Sequence, residues 1–558
     1  MSNPKKEKEK TKIISPSGPF SLVILDGWGI YKDYPGNAII QAQTPVYDQL
    51  LKEYPNTSLK AHGKYVGLPE GQDGNSEAGH MNLGAGRIVD QDAMIINKAI
   101  KSGYFFRNPA FKAAAAHVKG SKGSVHLMGL MTGIQSAHSD PGHLLALLKF
   151  FRQEKVKNVY LHLFTDGRDS FKYGAKEFLP ELEKQLKPHE KIASITGRYY
   201  AMDRKKKWDR TEKVYDILVS GKSNDYAKSA RDAIKQAYKN NETDEFIPPT
   251  VVVTEGKCDG KGICISGKPV ATIKDGDAIV YFNLRSDRAR QLTKTFTQKN
   301  FNKRNPGSFK RSKVLKDVIF VAMTDFGPDL EDVLSAFPSQ DIVDTLPMAL
   351  DGMPQLYISE NEKFAHVTYF FNGGYADPVA GEERQMIPSV DVPTYDLKPQ
   401  MSANKVTKEV LRALNRHDFI TVNFANPDMV GHTGNLAASI KACEVVDKNL
   451  GRLYKKIKRL KGCMIVTSDH GNVEEMINQK TGEVDTQHSN FPVPFIIVDT
   501  REEKAAPFKL KTDKPNILKK YRYNLAETGV LGNVAPTILD LMEIEKPRAM
   551  SEKSLIIR

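Results

Sequence analysis

Short apolar runs that stop abruptly at polar, glycine-flanked residues recur along this chain. Residues 21–25 (SLVIL) stop at Asp26-Gly27-Trp28-Gly29, residues 419–424 (FITVNF) lead into Asn426-Pro427-Asp428, and residues 463–468 (CMIVTS) stop at Asp469-His470-Gly471. Uninterrupted runs of this length predict strands buried on both faces of a parallel sheet. Helix-like stretches at 402–415 and 435–460 alternate with them. The expected fold class is therefore α/β, with a doubly wound and mostly parallel sheet. Sites in such sheets form outside the carboxyl ends of the strands, where these polar residues stand.

The same alternation continues in the middle of the chain, with strand-like runs at 124–130, 158–164, 191–195 and 278–283. Asp26 lies before this stretch and the other polar strand ends lie beyond residue 420. The simplest organisation is a discontinuous domain, 20–90 and 338–558, into which a second α/β domain, 91–337, is inserted. Residues 336–340 (AFPSQ) would be the return linker and the basic stretch 299–316 a surface loop. The lysine-rich residues 1–19 have no apolar segment of the secretory kind and are expected to be a disordered tail. There is no internal repeat.

Bulk properties narrow the function only slightly. The 558 residues carry 81 Lys and Arg against 67 Asp and Glu, a net charge of +14. Lysine is dispersed along the chain, so a basic solvated surface is preferred to a nucleic-acid interface, and an enzyme for anionic substrates fits equally well. No apolar run approaches the ~20 residues of a membrane span. The four cysteines, Cys258, Cys264, Cys443 and Cys463, form no C-x-x-C and no disulfide framework. A reducing compartment, the cytoplasm, is the default.

The polar strand ends carry more. Asp428 and His432 are four apart in NPDMVGHTG, Asp469 and His470 are adjacent in VTSDHGN, and His488 lies in DTQHSNFPVP. With Asp26 and Ser76 they make three aspartates, three histidines and a hydroxyl. Mixed imidazole and carboxylate suit Mn²⁺, Zn²⁺, Co²⁺ or Fe²⁺ better than Ca²⁺ or Mg²⁺ alone. Seven ligands exceed one metal with an open position and fit two metals sharing a site. Ser76 itself sits in GQDGNSEAGHMNLGAGR, residues 71–87, which has neither the ending of a P-loop nor a complete dinucleotide fingerprint.

LVILDGWG, GNSEAGHMNLGAGR, TDGRDS, GRYYAMDR, NLRSDRARQL, NPDMVGHTG and VTSDHGN follow in that order. Together they resemble the cofactor-independent (2,3-bisphosphoglycerate-independent) phosphoglycerate mutases of the alkaline phosphatase superfamily, over about residues 20–550. The resemblance implies an alkaline-phosphatase-like domain with two divalent ions, Mn²⁺ first and Co²⁺ or Zn²⁺ as alternatives. One would take Asp428, His432 and His488, the other Asp26, Ser76, Asp469 and His470. Ser76 would carry the phosphate as a phosphoserine. The inserted domain would hold glycerate through His138, Arg168, Asp169, Arg198, Arg204, Arg285 and Arg288, and Lys363 would reach the phosphate. The activity implied is interconversion of 3- and 2-phosphoglycerate by a monomer, with a small-molecule substrate and no nucleic-acid or membrane partner.

Elementary chemistry agrees with these roles. A serine hydroxyl is a poor nucleophile until a metal lowers its pKa, and arginine forks match carboxylate and phosphoryl oxygens. Arg285 and Arg288 are three apart, so a helical turn would present both to one anion. Asp169 is the candidate proton shuttle. The glycines around Ser76 would let backbone and a phosphoryl group approach closely, Asn75 could donate to a phosphate oxygen, and His80 is read as structural. Two stretches depart from the family pattern. GLMTGIQSAHSDPGHLLALL lacks a Ser-Asp-Gly-Gly element and carries one added residue before His138, and Asp485 stands where a histidine is common. The main alternative is a metal-dependent phosphatase of the same superfamily. A sulfatase, a phosphopentomutase and a non-catalytic binding protein fit the motifs less well.

Overall fold

A computed structural model describes residues 18–558 except 260, 261, 328, 331, 339, 340, 480 and 502–522. The expected tail lies, up to residue 17, outside the described residues. The chain divides into two compact units, one running to Gln91 and again from Gln340, the other spanning Asp92–Ser339.

The first unit is built on an eight-stranded sheet in the order Glu382–Ile387, Gln355–Glu360, Phe419–Phe424, Phe20–Leu25, Cys463–Thr467, Val493–Asp499, Asn56–Lys60, Thr528–Val530. The first five strands are mutually parallel. Every residue of Phe20–Leu25 is buried. Phe20, Leu22 and Ile24 pack on one face with Leu83, Val534 and Ile538, and Val23 and Leu25 pack on the other with Val406, Val446 and Leu450. Helices on both faces explain why the strand shows no polar alternation. The helix Leu436–Arg459 starts where Asn435 caps the Ala438 N–H at 3.1 Å, and its last turn carries Lys456, Lys458 and Arg459 against the helix dipole.

The second unit has a nine-stranded sheet in the order Val333–Phe337, Ile319–Thr324, Ala278–Tyr281, Val125–Met131, Val159–Thr165, Glu190–Gly197, Thr250–Cys258, Asp225–Ala227, Ile263–Pro269. The first six strands are parallel, Thr250–Cys258 and Asp225–Ala227 run parallel to each other and antiparallel to those six, and Ile263–Pro269 reverses again. The four strands expected from the sequence are its middle. Its cores again lie on both faces, around Leu127 and Leu161 and around Leu130 and Tyr281.

Three expectations need correction. Residues 336–337 are not linker: Ala336 and Phe337 end the strand Val333–Phe337 and are buried in the core of the second unit. Of the rest of the expected linker, Pro338 is exposed beyond the strand and 339–340 lie outside the described residues. The stretch 299–316 contains a short helix, Phe301–Arg304, whose Phe301 is buried against Trp208. Cys258 and Cys264 form a disulfide. They face each other across an antiparallel hairpin, a pairing that a count of four cysteines over the whole chain does not reveal.

Candidate functional site

The parallel register sets the site of the first unit. Ile24 lies opposite Thr467 and Leu25 opposite Phe424, so the three strands end together. Asp26 donates its N–H to the Phe424 carbonyl at 3.2 Å and Asp428 donates its own to the Asp26 carbonyl at 3.1 Å. Asp26, Asp428 and Asp469 therefore stand at one edge, and all three are buried. The strand Gln355–Glu360 ends at the same edge and delivers the helix Asn361–Ala365 with Lys363. The strand Val493–Asp499 runs antiparallel, so the loop before it brings His488 to this edge too.

Ser76 is the first residue of the helix Ser76–Ala85, capped by Asn75, whose side-chain oxygen accepts the Ala78 N–H at 2.9 Å. The cap uses the oxygen of Asn75, so only its amide N–H group could serve a phosphate. The nearby glycines make room for protein. A Cβ on Gly74 would lie 2.1 Å from the Ala61 carbonyl oxygen, and one on Gly79 would lie 2.6 Å from that of Asp469. At these positions the close approach expected of backbone is present, and the space is filled by chain.

All eight residues assigned to this unit converge. Lys363 Nζ lies 2.7 Å from Ser76 Oγ and 2.6 Å from a carboxylate oxygen of both Asp26 and Asp428. Ser76 Oγ is 2.8 Å from His470 Nε2 and 3.5 Å from Asp26 Oδ1. Burial works against the Lys363 charge, but Asp26 and Asp428 overcome it and raise its pKa, so it stays an ammonium. Asp26 is pushed up to about 6 by burial and by Asp469. Three buried carboxylates against one ammonium leave negative charge that a low-dielectric site does not tolerate without further cations.

The imidazoles point to what those cations are. His432 Nδ1 lies 2.8 Å from the Thr486 carbonyl and His488 Nδ1 lies 2.7 Å from that of Gly74. Each Nδ1 is therefore the donor, which leaves each Nε2 a lone pair. The two Nε2 atoms are 3.1 Å apart, and each is 3.3 Å from Asp428 Oδ1. Ligands around a tetrahedral ion with bonds of about 2.0 Å stand about 3.3 Å from one another. Asp428, His432 and His488 thus fit one divalent ion. Asp26, Asp469 and His470 gather beside Ser76, with His470 Nε2 3.4 Å from Asp469 Oδ2 and 3.7 Å from Asp26 Oδ1. This donor set fits a second ion.

Several residues that hold these groups were not expected. Asn423 donates to Asp26 Oδ2 at 2.6 Å, which fixes its amide orientation, and to His80 Nε2 at 3.0 Å. The His80 proton is therefore on Nδ1, which lies 2.9 Å from the Ser76 carbonyl and 3.2 Å from Asp469 Oδ2. His80 orients the site. Asn472 donates to Asp428 Oδ1 at 2.9 Å. Buried Glu474 ties three loops, accepting from Gly29 N at 2.9 Å, from Asn472 N at 2.8 Å and from the Ser489 hydroxyl. Asn423 had a signal, as the polar residue inside an apolar run. Glu474 had none, because its partner Gly29 lies 445 residues away.

In the second unit the expected substrate residues form their own cluster. Arg198 Nη1 contacts Asp166 at 2.5 Å and Asp169 at 2.9 Å. Ser136 donates to Asp169 at 2.9 Å, and the His138 N–H donates to Ser136 Oγ at 3.2 Å. Arg204 pairs with Asp287 at 2.6 Å, and exposed Arg168 lies 3.7 Å from Glu245. Arg285 acts electrostatically on His138 and Asp287. Burial, then Arg198 and Arg204, push Arg288 down to about 10. Crowded guanidiniums of this kind can receive a multiply charged anion. Burial opposes the ionised form of Asp169, but the Arg198 guanidinium outweighs it and holds its carboxyl below the usual range. It rests as the carboxylate, so a shuttle through it begins by accepting a proton. Arg285 and Arg288 do not share a helical turn, since the helix begins only at Arg290 and they lie in the turn before it.

Buried neutral histidines give the second unit a pH dependence. His138 is pushed down to about 3 by burial and by Arg198 and Arg285, His143 to about 4 by burial, and His162 well below its ordinary value by burial and by His126. A depressed histidine takes its proton in the unfolded chain first. Stability is therefore complete above about pH 6.5 and falls below it by about 1.4 kcal/mol per pH unit for each such group. Calorimetry is expected to give a lower unfolding midpoint at pH 5 than at pH 7.5, and His162→Gln should flatten that difference. An unchanged slope in the variant would contradict the assignment.

Comparison with known proteins agrees with a metal-dependent enzyme. The family described as the Metalloenzyme superfamily matches residues 18–546. The 2,3-bisphosphoglycerate-independent phosphoglycerate mutase 1 of Methanosarcina acetivorans is 45% identical, over 97% of this chain and 99% of its own. The 2,3-bisphosphoglycerate-independent phosphoglycerate mutase of Clostridioides difficile is 44% identical, over 96% and 99%. A solved structure of Leishmania mexicana phosphoglycerate mutase at low cobalt concentration is 30% identical with a TM-score of 0.75, covering 97% of this chain and 98% of that one. With its serine among metal-type ligands and near-complete alignment to these relatives, the chain belongs to the 2,3-bisphosphoglycerate-independent phosphoglycerate mutase family of the metalloenzyme superfamily.

Proposed function

We propose that this chain is an isomerase that interconverts 3-phosphoglycerate and 2-phosphoglycerate in glycolysis and gluconeogenesis, through a phosphoserine at Ser76 and without 2,3-bisphosphoglycerate. The observation that favours a mutase over a hydrolase is the pair of buried Arg198 with half-buried Asp169, set among Arg168, Arg204, Arg285 and Arg288. A hydrolase has no use for a receptor that keeps the dephosphorylated product.

Ser76 Oγ attacks phosphorus in line, the bond from phosphorus to the 3-oxygen of glycerate breaks, and the serine proton ends on that oxygen. Lys363, cationic and 2.7 Å from Oγ, stabilises negative charge on that oxygen and can donate to a phosphoryl oxygen. The helix starting at Ser76 turns its positive end toward the same group. Two divalent ions, held by Asp428, His432 and His488 and by Asp26, Ser76, Asp469 and His470, would supply Lewis acidity to the hydroxyl and to the phosphoryl oxygens. We read them as Mn²⁺, with Co²⁺ or Zn²⁺ as alternatives. His138 and the arginine cluster hold glycerate by its carboxylate and hydroxyls. Asp169 accepts the proton of the 2-hydroxyl as that oxygen takes the phosphoryl group back, the bond from phosphorus to Ser76 Oγ breaks, and the proton passes on to Ser76. Water must stay out while glycerate waits.

A monomer acting on a small-molecule substrate, without nucleic acid or membrane, completes the reading. Among the described residues no helix is long and apolar enough to cross a membrane. The compartment proposed is the cytoplasm, where the Cys258–Cys264 bridge would stand in exchange with its dithiol. The test supplies 3-phosphoglycerate and Mn²⁺ without 2,3-bisphosphoglycerate and couples 2-phosphoglycerate to enolase. Formation of 2-phosphoglycerate is expected, and release of inorganic phosphate alone would refute the mutase reading in favour of the hydrolase.

A further inference from the structure

Asp166 has no place in the chemistry above, yet the receptor cluster is assembled around it. Its side chain is 1% exposed. One oxygen accepts from the Arg168 N–H at 3.2 Å, the Asp169 N–H at 3.0 Å and Arg198 Nη1 at 2.5 Å, and the other accepts from the Thr132 hydroxyl. The donors come from three separate segments: the loop from Thr132 to His138, the turn after the strand Val159–Thr165, and the start of the helix Arg198–Ala201. The network continues from Arg198 to Asp169, to Ser136 and to the His138 N–H. Arg168, Asp169 and Arg198 are thus set directly by one carboxylate, and His138 is set through two intermediates.

Both carboxylate contacts of Arg198 fall on Nη1. That end of the fork is neutralised and fixed, so the plane of the guanidinium is decided by Asp166 and Asp169 together. Two N–H donors in a row from Arg168 and Asp169 to one side-chain oxygen form a tight Asx turn, which sets where those two side chains leave the strand end. An error of 1 Å in such a receptor is transmitted to the hydroxyl that must attack.

We propose that Asp166 is a positioning residue that determines whether the phosphoryl group returns to glycerate or is lost to water. The proposal rests on the mutase reading. In isomerisation the 2-oxygen of glycerate forms the new bond to phosphorus, the bond from phosphorus to Ser76 Oγ breaks, and the hydroxyl proton ends on Ser76. In the leak a water oxygen takes the place of the 2-oxygen, its proton ends on Ser76, and inorganic phosphate and glycerate depart. Both routes share the same phosphoserine, so their ratio reports only how well glycerate is held.

The experiment measures inorganic phosphate released per 2-phosphoglycerate formed, from 3-phosphoglycerate with Mn²⁺, for the wild type, Asp166→Asn and Thr132→Val. Asp166→Asn keeps the size and an acceptor oxygen but removes the charge that faces Arg198. The ratio should rise on the order of 10- to 100-fold in Asp166→Asn and in the same direction, by less, in Thr132→Val. Consumption of 3-phosphoglycerate at saturation should fall far less than 2-phosphoglycerate formation. Thermal unfolding of each variant separates this from misfolding, and Thr132→Val, which loses only one hydroxyl, serves if Asp166→Asn does not fold. Wild-type isomerisation with an unchanged ratio in the folded variants would overturn the positioning role alone. Wild-type release of phosphate with no 2-phosphoglycerate would overturn the mutase reading and this proposal with it.

Discussion

Replacing Ser76 by alanine is expected to abolish both isomerisation and any release of phosphate, by a factor on the order of 10⁶ in kcat, or about 8 kcal/mol of barrier. The size follows from the role: no other hydroxyl is placed 2.7 Å from Lys363 and 2.8 Å from His470 among the described contacts. The change leaves the fold in place. Ser76 starts its helix, but the cap is supplied by Asn75, and the helix core of Ala78 and Leu83 is untouched. The measurement is a coupled assay beside a phosphate assay, with thermal unfolding as the control. Retained phosphate release in a folded Ser76→Ala protein would mean that water attacks the substrate directly, which is hydrolase chemistry.

Removal of divalent ions is expected to have the second largest effect. A chelator should take activity to background, and Mn²⁺ or Co²⁺ should restore it. In Asp428→Asn, restoration should require at least about 100-fold more metal, because Oδ1 of Asp428 is the one atom that both His432 and His488 approach at 3.3 Å. The chelated protein should also unfold earlier, since an ion held at 100 times its Kd adds about 2.7 kcal/mol to the folded state. Calorimetry with and without metal reads this independently of turnover. Full activity and an unchanged midpoint in excess chelator would contradict the assignment of these residues.

How much of this was legible in sequence depended on distance along the chain. Asp26, Asp428 and Asp469 could be read because each closes an apolar run, and parallel pairing places run ends at one edge. Asp166 carries the same signal after the run 158–164, but in TDGRDS it stands beside Arg168 and Asp169, whose family roles drew the reading. Glu474, Asn472 and His80 act through partners brought together only by folding, such as Gly29 and Asp428, and their neighbours in sequence say nothing of this. The glycines around Ser76 were legible as close approaches, but what approaches at Gly74 and Gly79, Ala61 and Asp469, required the packed structure. The helical turn assigned to Arg285 and Arg288 failed because spacing of three is shared by turns and helices alike. The Cys258–Cys264 bridge escaped for a related reason: register across a hairpin, not cysteine number, decides which thiols meet.

The account centres on a phosphoryl group that passes through Ser76. The most direct measurement is rapid quenching of the enzyme during turnover of 3-phosphoglycerate carrying labelled phosphate, followed by peptide mapping. The label should appear on the peptide containing Ser76 within the first turnover and disappear as 2-phosphoglycerate accumulates. Accumulation of 2-phosphoglycerate with no label on Ser76 at any time would contradict it.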